Sequence, residues 1–88
     1  MARKEKVTKV IDGDTFRTAN RKHAVRLANV DAPETGKPGA AAAKKKLEGL
    51  IGQKEVLVEV QPVARDVYGR CIANVTVGRR SVNEAMRS

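Results

Sequence analysis

The shortness of the chain is the feature that most constrains its fold. A chain of 88 residues buries roughly 60–65% of the surface that its unfolded form exposes, which is enough for one modest core. That core has to be mostly aliphatic, because Phe16 and Tyr68 are the only aromatic residues. We therefore expect a single domain that spans residues 1–88.

Charge, cysteine and histidine content narrow the possible partners and metals. The net charge of +8 fits a polyanionic partner, but it fits a merely soluble basic surface equally well. A single cysteine, Cys71, excludes an internal disulfide, and together with the single histidine, His23, it excludes a zinc site of the usual kind. Any metal would be held by carboxylates and carbonyls, which suit a hard cation such as Ca²⁺ or Mg²⁺.

Neither a membrane span nor an export signal is expected in this sequence. No apolar run approaches the roughly 18 residues that a membrane span needs. The charged residues 1–6 lead directly into a mixed strand pattern and not into an apolar signal core. A trimmed form of an exported protein would look the same, so the sequence leaves the cellular location open.

Hydrophobic periodicity predicts five strands and one long helix. Asp12-Gly13 suits a tight hairpin turn, and Ala32-Pro33 should end the third strand because proline holds its predecessor extended. Pro38 can open a helix for which Gly52 is the stop signal. The predicted strands are 7–11, 15–19, 23–30, 55–60 and 69–77, with a helix at 38–51 and a loop at 61–68.

The end of the chain carries a helix-start signal. Ser81 and Glu84 stand three apart, which is the spacing of a capping box, so a short final helix is expected. Three strands, a helix, two strands and a helical stub make an α+β order consistent with a small Greek-key barrel. Periodicity alone does not separate that barrel from other small β-rich folds.

Acidic residues cluster where predicted strands end. Asp12 and Asp14 flank Gly13, and Asp31 and Glu34 surround Pro33. Each pair alone is typical of an ordinary turn or strand end. Two carboxylate clusters that close adjacent strands can instead converge on one point, where their repulsion would require a cation.

Two arginines are candidates for binding phosphate. An arginine fork matches phosphate oxygens bidentately, although a surface charge is the ordinary reading of any one arginine. Arg70 should point away from the core, and Arg26 alternates with apolar neighbours. Because Arg26 and Asp31 are five residues apart, they share a face only if the strand bends or ends before Asp31.

Three ordered blocks make the sequence recognisable. VIDGDTF at 10–16, VRLANVDAPE at 25–34 and DVYGR at 66–70 resemble the signature blocks of the staphylococcal nuclease family. The resemblance implies a five-stranded OB-type barrel with a helix between strands 3 and 4 and an active site on its surface. It also implies Ca²⁺-dependent hydrolysis of DNA and RNA to products with a 3′-phosphate. Family enzymes usually continue through further C-terminal helices.

The resemblance also assigns a metal site and a base. Asp14 and Asp31 match the direct Ca²⁺ ligands, and Ala32 would add its backbone carbonyl. Threonine is frequent in the family at that last position, but a carbonyl ligand does not depend on the side chain. Glu34 matches the carboxylate that is proposed to activate the attacking water.

The resemblance assigns the remaining site residues to the binding of substrate phosphates. Arg26 and Arg70 match the arginines that bind the scissile phosphate and stabilise its developing charge. Tyr68 matches a tyrosine beside the terminal phosphate of the substrate. Val67 departs from the pattern, since the best-known member has lysine there.

Two other functions stay open at this point. An OB barrel can hold single-stranded nucleic acid without cutting it, but that use normally relies on several aromatic stacking platforms, and this chain has two aromatic residues. The chain could also be a truncated nuclease core. The first expectation is an enzyme that acts on single-stranded DNA or RNA, without membrane contact. It should be a monomer, with association possible if the C-terminal helices are absent.

Overall fold

The computed structural model describes residues 3–33, 36–52 and 56–87. Strands dominate the chain, and a helix separates the third strand from the fourth, which confirms the α+β, mostly β class. None of the helices in the described ranges is long and apolar enough to cross a membrane. The elements are β1 Arg3–Asp12, β2 Thr15–Thr18, β3 Val25–Leu27, α1 Ala40–Ile51, β4 Leu57–Arg65, β5 Cys71–Val77, β6 Arg80–Ser81 and α2 Val82–Arg87.

Strand pairing closes the sheet on itself. The strand order is β3-β2-β1-β4-β5-β6, and β3 also pairs with β5. The first five strands therefore form a ring in which each strand has a neighbour on both sides. The β3–β5 pairing is parallel, whereas the other pairings are antiparallel. This arrangement confirms the predicted barrel and is consistent with the OB type; the two-residue strand β6 is an addition to it.

Several strand boundaries differ from the prediction: β1 begins at Arg3 and not at residue 7, and the largest other differences are in the third and fourth strands. The loop predicted at 61–68 is wrong over its first half, because β4 continues to Arg65. Pro62 is accommodated by a register shift between Pro62 and Ala64 in the pairing with β5, since proline cannot donate a ladder hydrogen bond. The third strand, predicted at 23–30, ends at Leu27. Asn29 soon follows with a left-handed φ of 59°, so the chain turns before Asp31.

The core is aliphatic, as the composition requires. Helix α1 begins at Ala40, two residues later than predicted, and packs Leu47 and Ile51 against the barrel with no exposed surface. Complete burial of one such side chain contributes about 1.5–3 kcal/mol. The largest fully buried apolar side chains are Phe16, Leu27, Leu47, Ile51, Val25, Val58, Val60, Val75 and Val82.

Helix α2 anchors the barrel through a buried amide. The Ser81 hydroxyl accepts a hydrogen bond from the Glu84 N–H at 3.2 Å, which confirms the predicted helix start. Asn83, 1% exposed, accepts from the Val75 N–H at 2.8 Å. Its Nδ2 donates to the carbonyls of Ala28 and Ala73 at 2.9 and 3.1 Å. Asn83 thus ties α2 to the place where the chain leaves β3 beside β5.

Candidate active site

A close approach at Gly13 determines where the acidic turn lies. A Cβ at Gly13 would lie 2.5 Å from the Ala43 Cβ and 2.8 Å from the Ala32 Cβ. Carbon atoms in favourable contact are about 3.5–4.0 Å apart, so only a residue without a side chain fits there. Helix α1, the β1–β2 turn and the segment after β3 consequently meet at this glycine.

Asp14 contacts residues from three segments of the site. Its side chain is nearly buried, with 7% of the residue exposed. Its Oδ1 accepts from the Thr15 hydroxyl at 2.8 Å, and its Oδ2 accepts from the Ala32 N–H at 3.3 Å. The Arg26 Nη2 lies 3.5 Å from the same Oδ2. Asp14 therefore joins β2, β3 and the segment that contains Asp31.

A second carboxyl group lies beside Asp14. Asp12 accepts a hydrogen bond from the Asp14 N–H at 3.2 Å. Burial, and then the neighbouring carboxyl of Asp14, raise the pKa of Asp12 above its ordinary value. Two carboxyl groups with mutual repulsion provide oxygen donors that fit a hard cation.

The other predicted metal ligands are only partly placed by the structure. Ala32 is in the site through its N–H, and Asp31 is exposed next to it. Glu34, the predicted base, lies outside the described residues. Within the ranges that are described, there is no group of three His, Cys, Asp or Glu side chains that could hold a metal ion. The convergence of Asp14, Asp31 and Glu34 on one cation stays a prediction.

Arg26 is held beside the carboxyl groups by two contacts. Besides the Asp14 carboxylate, its Nη2 contacts the Val30 carbonyl at 3.3 Å. Its side chain is 25% exposed, while Val25 and Leu27 on either side are fully buried. The guanidinium consequently lies on the outer surface of the barrel, fixed on one side and open to solvent on the other.

Arg70 is held by a different carboxylate. Its Nε donates to the Asp66 Oδ2 at 2.5 Å, and its backbone N–H donates to Oδ1 at 2.8 Å. The Tyr68 N–H also donates to that oxygen, at 3.0 Å. Desolvation acts to raise the pKa of Asp66, but the hydrogen bonds from Arg70 and Tyr68 outweigh it and lower the pKa below the ordinary value. The charged form of Asp66 thus organises the turn.

Strand register brings the two arginines to one surface. In the parallel pairing of β3 with β5, Arg26 lies opposite Ile72, two residues after Arg70. Arg70 directly precedes the first residue of β5, beside the strand that carries Arg26, and both arginine side chains are partly exposed on the surface there. Tyr68 completes this surface: its ring is largely exposed, and its centroid lies 5.4 Å from the Arg70 guanidinium carbon, in the range of a cation–π contact.

One buried ion pair was not predicted from the sequence. Glu5, 3% exposed, accepts from the Arg21 Nε at 2.8 Å and Nη2 at 2.9 Å, and from the Thr18 hydroxyl at 2.8 Å. The pair connects the first half of β1 to the β2–β3 loop. It depends on the strand register that places Val7 opposite Thr18, which local sequence does not determine.

The described strands define the chain as a small closed β-barrel, and its surface carries the nearly buried Asp14 beside the partly exposed Arg26. Comparison with known proteins specifies the family. The family model described as "Staphylococcal nuclease homologue" matches residues 24–87, and the chain belongs to that family.

Relatives that are named as nucleases agree with this assignment. A thermonuclease of Staphylococcus hyicus is 36% identical over 90 residues, covering 92% of this chain and 53% of the relative. A micrococcal nuclease of Shigella flexneri is 39% identical over 71 residues, covering 78% and 40% respectively. An uncharacterized endonuclease of Haemophilus influenzae is 34% identical over 84 residues, covering 92% and 46%. The chain thus spans about half the length of these relatives.

Proposed function

We propose that this chain is a nuclease domain that hydrolyses phosphodiester bonds of single-stranded DNA or RNA with Ca²⁺ and leaves a 3′-phosphate. The observation that carries the proposal is the contact between the nearly buried Asp14 carboxylate and Arg26, 3.5 Å apart, on the barrel surface that also presents Arg70. Membership of a family whose relatives are named thermonuclease and micrococcal nuclease supports it. We further infer that residues 1–88 form one domain and act as a monomer.

The carboxyl groups would hold the cation. In this proposal Asp14 and Asp31 bind Ca²⁺ through their side chains and Ala32 binds it through its carbonyl. The contacts that Asp14 Oδ2 makes now, at 3.3 and 3.5 Å, are long for hydrogen bonds, so a cation can displace them at small cost. When bound, Ca²⁺ would polarise the phosphate and offset its charge.

The arginines would bind the reacting phosphate. Arg26 donates to the Val30 carbonyl and Arg70 is held by the Asp66 carboxylate, so both guanidinium groups are oriented before substrate arrives. Such preorganised donors stabilise the charge that develops on the phosphate oxygens during attack. We assign Glu34 the role of accepting a proton from the attacking water, and Tyr68 contact with a neighbouring phosphate.

Cleavage of a labelled single-stranded DNA tests the proposal. We expect cleavage with Ca²⁺ and none in excess chelator. Arg26→Lys and Arg70→Lys keep the charge but lose the bidentate fork, and each should lower the rate by about 10²–10³. Arg79→Lys, on the exposed turn before β6, is the matched control and should cleave like the wild type.

Three results would contradict the assignment. Equal cleavage in excess chelator would remove the metal from the mechanism. Near-wild-type rates in both arginine variants would make these residues ordinary surface charges. Binding of the strand without any cleavage would identify a binding module and not an enzyme.

A further inference from the structure

A basic cavity lies beside the turn that carries Arg70. It has a volume of about 250 Å³ and lies between the β2–β3 loop and the end of β4. Three cations and the histidine contribute to its wall. The lining residues are Asn20, Arg21, Lys22, His23, Arg65 and Cys71.

Two of these cations are available to a ligand. Arg21 is already matched by the buried Glu5, so its charge is largely offset. Lys22 and Arg65 are both exposed. Arg17 adds a further cation at the rim, since its Nη2 donates to the Lys22 carbonyl at 3.0 Å. The cavity therefore has an excess of positive charge that an anion would offset.

The cavity is in direct contact with the proposed active site. Arg65 Nη1 donates to the Gly69 carbonyl at 2.9 Å. The His23 ring lies against the same glycine, 3.6 Å from the position that a Cβ would take. Gly69 stands between Tyr68 and Arg70, with a φ of 85° that L-residues rarely adopt. Gly69, which contacts Arg65 and His23 in the cavity wall, is therefore the direct chain neighbour of both Tyr68 and Arg70.

We propose that this cavity is a second phosphate subsite, which holds the backbone of the nucleic-acid strand beyond the phosphate at Arg70. The inference rests on the proposed function and extends it to residues outside the active site. A nucleic-acid strand carries one negative charge per nucleotide, so a strand held at Arg70 presents its next phosphates to adjacent surface. Lys22 and Arg65 are the cations that would receive them.

The salt dependence of oligonucleotide binding measures how many phosphates the protein neutralises. For a single strand, the slope of log affinity against log salt changes by about 0.7 for each phosphate that a cation neutralises. The probe is a fluorescein-labelled oligothymidylate of eight nucleotides, and its anisotropy is followed in chelator so that the strand stays intact. We expect Lys22→Gln to reduce the slope by about 0.7, and Lys22→Gln with Arg65→Gln to reduce it by about 1.4.

The control removes equal charge from another place. Arg79 and Arg80 lie beyond the opposite end of β5 from Cys71, and Arg79→Gln with Arg80→Gln should leave the slope close to that of the wild type. Lys22→Gln is informative alone, because Arg65→Gln also removes the contact with Gly69. An unchanged slope in Lys22→Gln, or an equal fall in the control, would overturn the subsite. Because the strand is not cut, this result is independent of whether the chain is a nuclease.

Discussion

Replacing Gly13 by alanine should force apart the segments that build the proposed active site. The added methyl would lie 2.5 Å from the Ala43 Cβ and 2.8 Å from the Ala32 Cβ. A Cβ has no torsion by which it can turn away, and favourable carbon contacts begin near about 3.5 Å, so the backbone has to move by about 1 Å. Forcing extra volume into a packed interior typically costs about 1–3 kcal/mol.

Helix α1, which contains Ala43, also offers a matched control. Gly49 lies within α1, and a Cβ there would meet nothing within 4 Å. Alanine in a helix interior is more stable than glycine by roughly 0.5–1 kcal/mol. The two glycine-to-alanine changes should therefore have opposite signs. Urea denaturation followed by circular dichroism should show a lower midpoint for Gly13→Ala and a higher one for Gly49→Ala, at similar slope.

The change at Gly13 should also reduce activity in molecules that remain folded. Moving the segment of Ala32 shifts its carbonyl, which we propose as a Ca²⁺ ligand, relative to Asp14, and a displacement of about 1 Å in such a group can cost about 10²-fold in rate. Cleavage of single-stranded DNA is compared at a temperature where both variants are folded. The reasoning would be wrong if Gly13→Ala matched the wild type in stability, or if Gly49→Ala lost as much activity.

Two further predictions concern the supports of the site. Asn83→Ala leaves the buried Val75 N–H without its partner and should lower the free energy of unfolding by about 1–3 kcal/mol or more. The control Asn74→Ala changes an exposed residue and should change that free energy by less than about 0.5 kcal/mol. Similar urea midpoints for the two variants would refute the role of the buried amide. Because the pKa of Asp66 is lowered in the folded state, its stabilising contribution is present above about pH 4 and is lost as pH falls through the folded pKa. Asp66→Asn should therefore lower the melting temperature at pH 7 and converge with the wild type in acid, and a constant difference across that range would exclude the ion pair with Arg70 as the cause.

Much of the fold was predictable because its signals are local. The Asp12-Gly13 turn, the helix ending at Gly52 and the capping box at Ser81 each depend on residues a few positions apart. The second half of β4 was missed because residues 61–65 are all exposed. No buried face produces an alternating pattern there, and Pro62 argues against a strand. That segment is a strand only because β5 pairs with it.

The site was predictable as a set of residues but not as a geometry. The sequence indicated Asp14 and Arg26, and the structure brings them within 3.5 Å. It left open whether Arg26 and Asp31 can share a face, and the left-handed Asn29 ends the alternation between them. The Glu5–Arg21 pair had no local signal at all. Contacts of that kind follow from register across strands, which the closed barrel determines as a whole.

The two sides of the site are held by independent means. The Asp14 side depends on close packing at Gly13 and on the antiparallel pairing of β2 with β3. The Arg70 side depends on the Asp66 carboxylate within a single turn. The link between them is the parallel pairing of β3 with β5, at whose end the Asn83 amide bonds both strands. Damage at the turn should therefore weaken phosphate binding and spare the carboxyl groups, whereas damage at Asn83 should change the spacing of the two sides together.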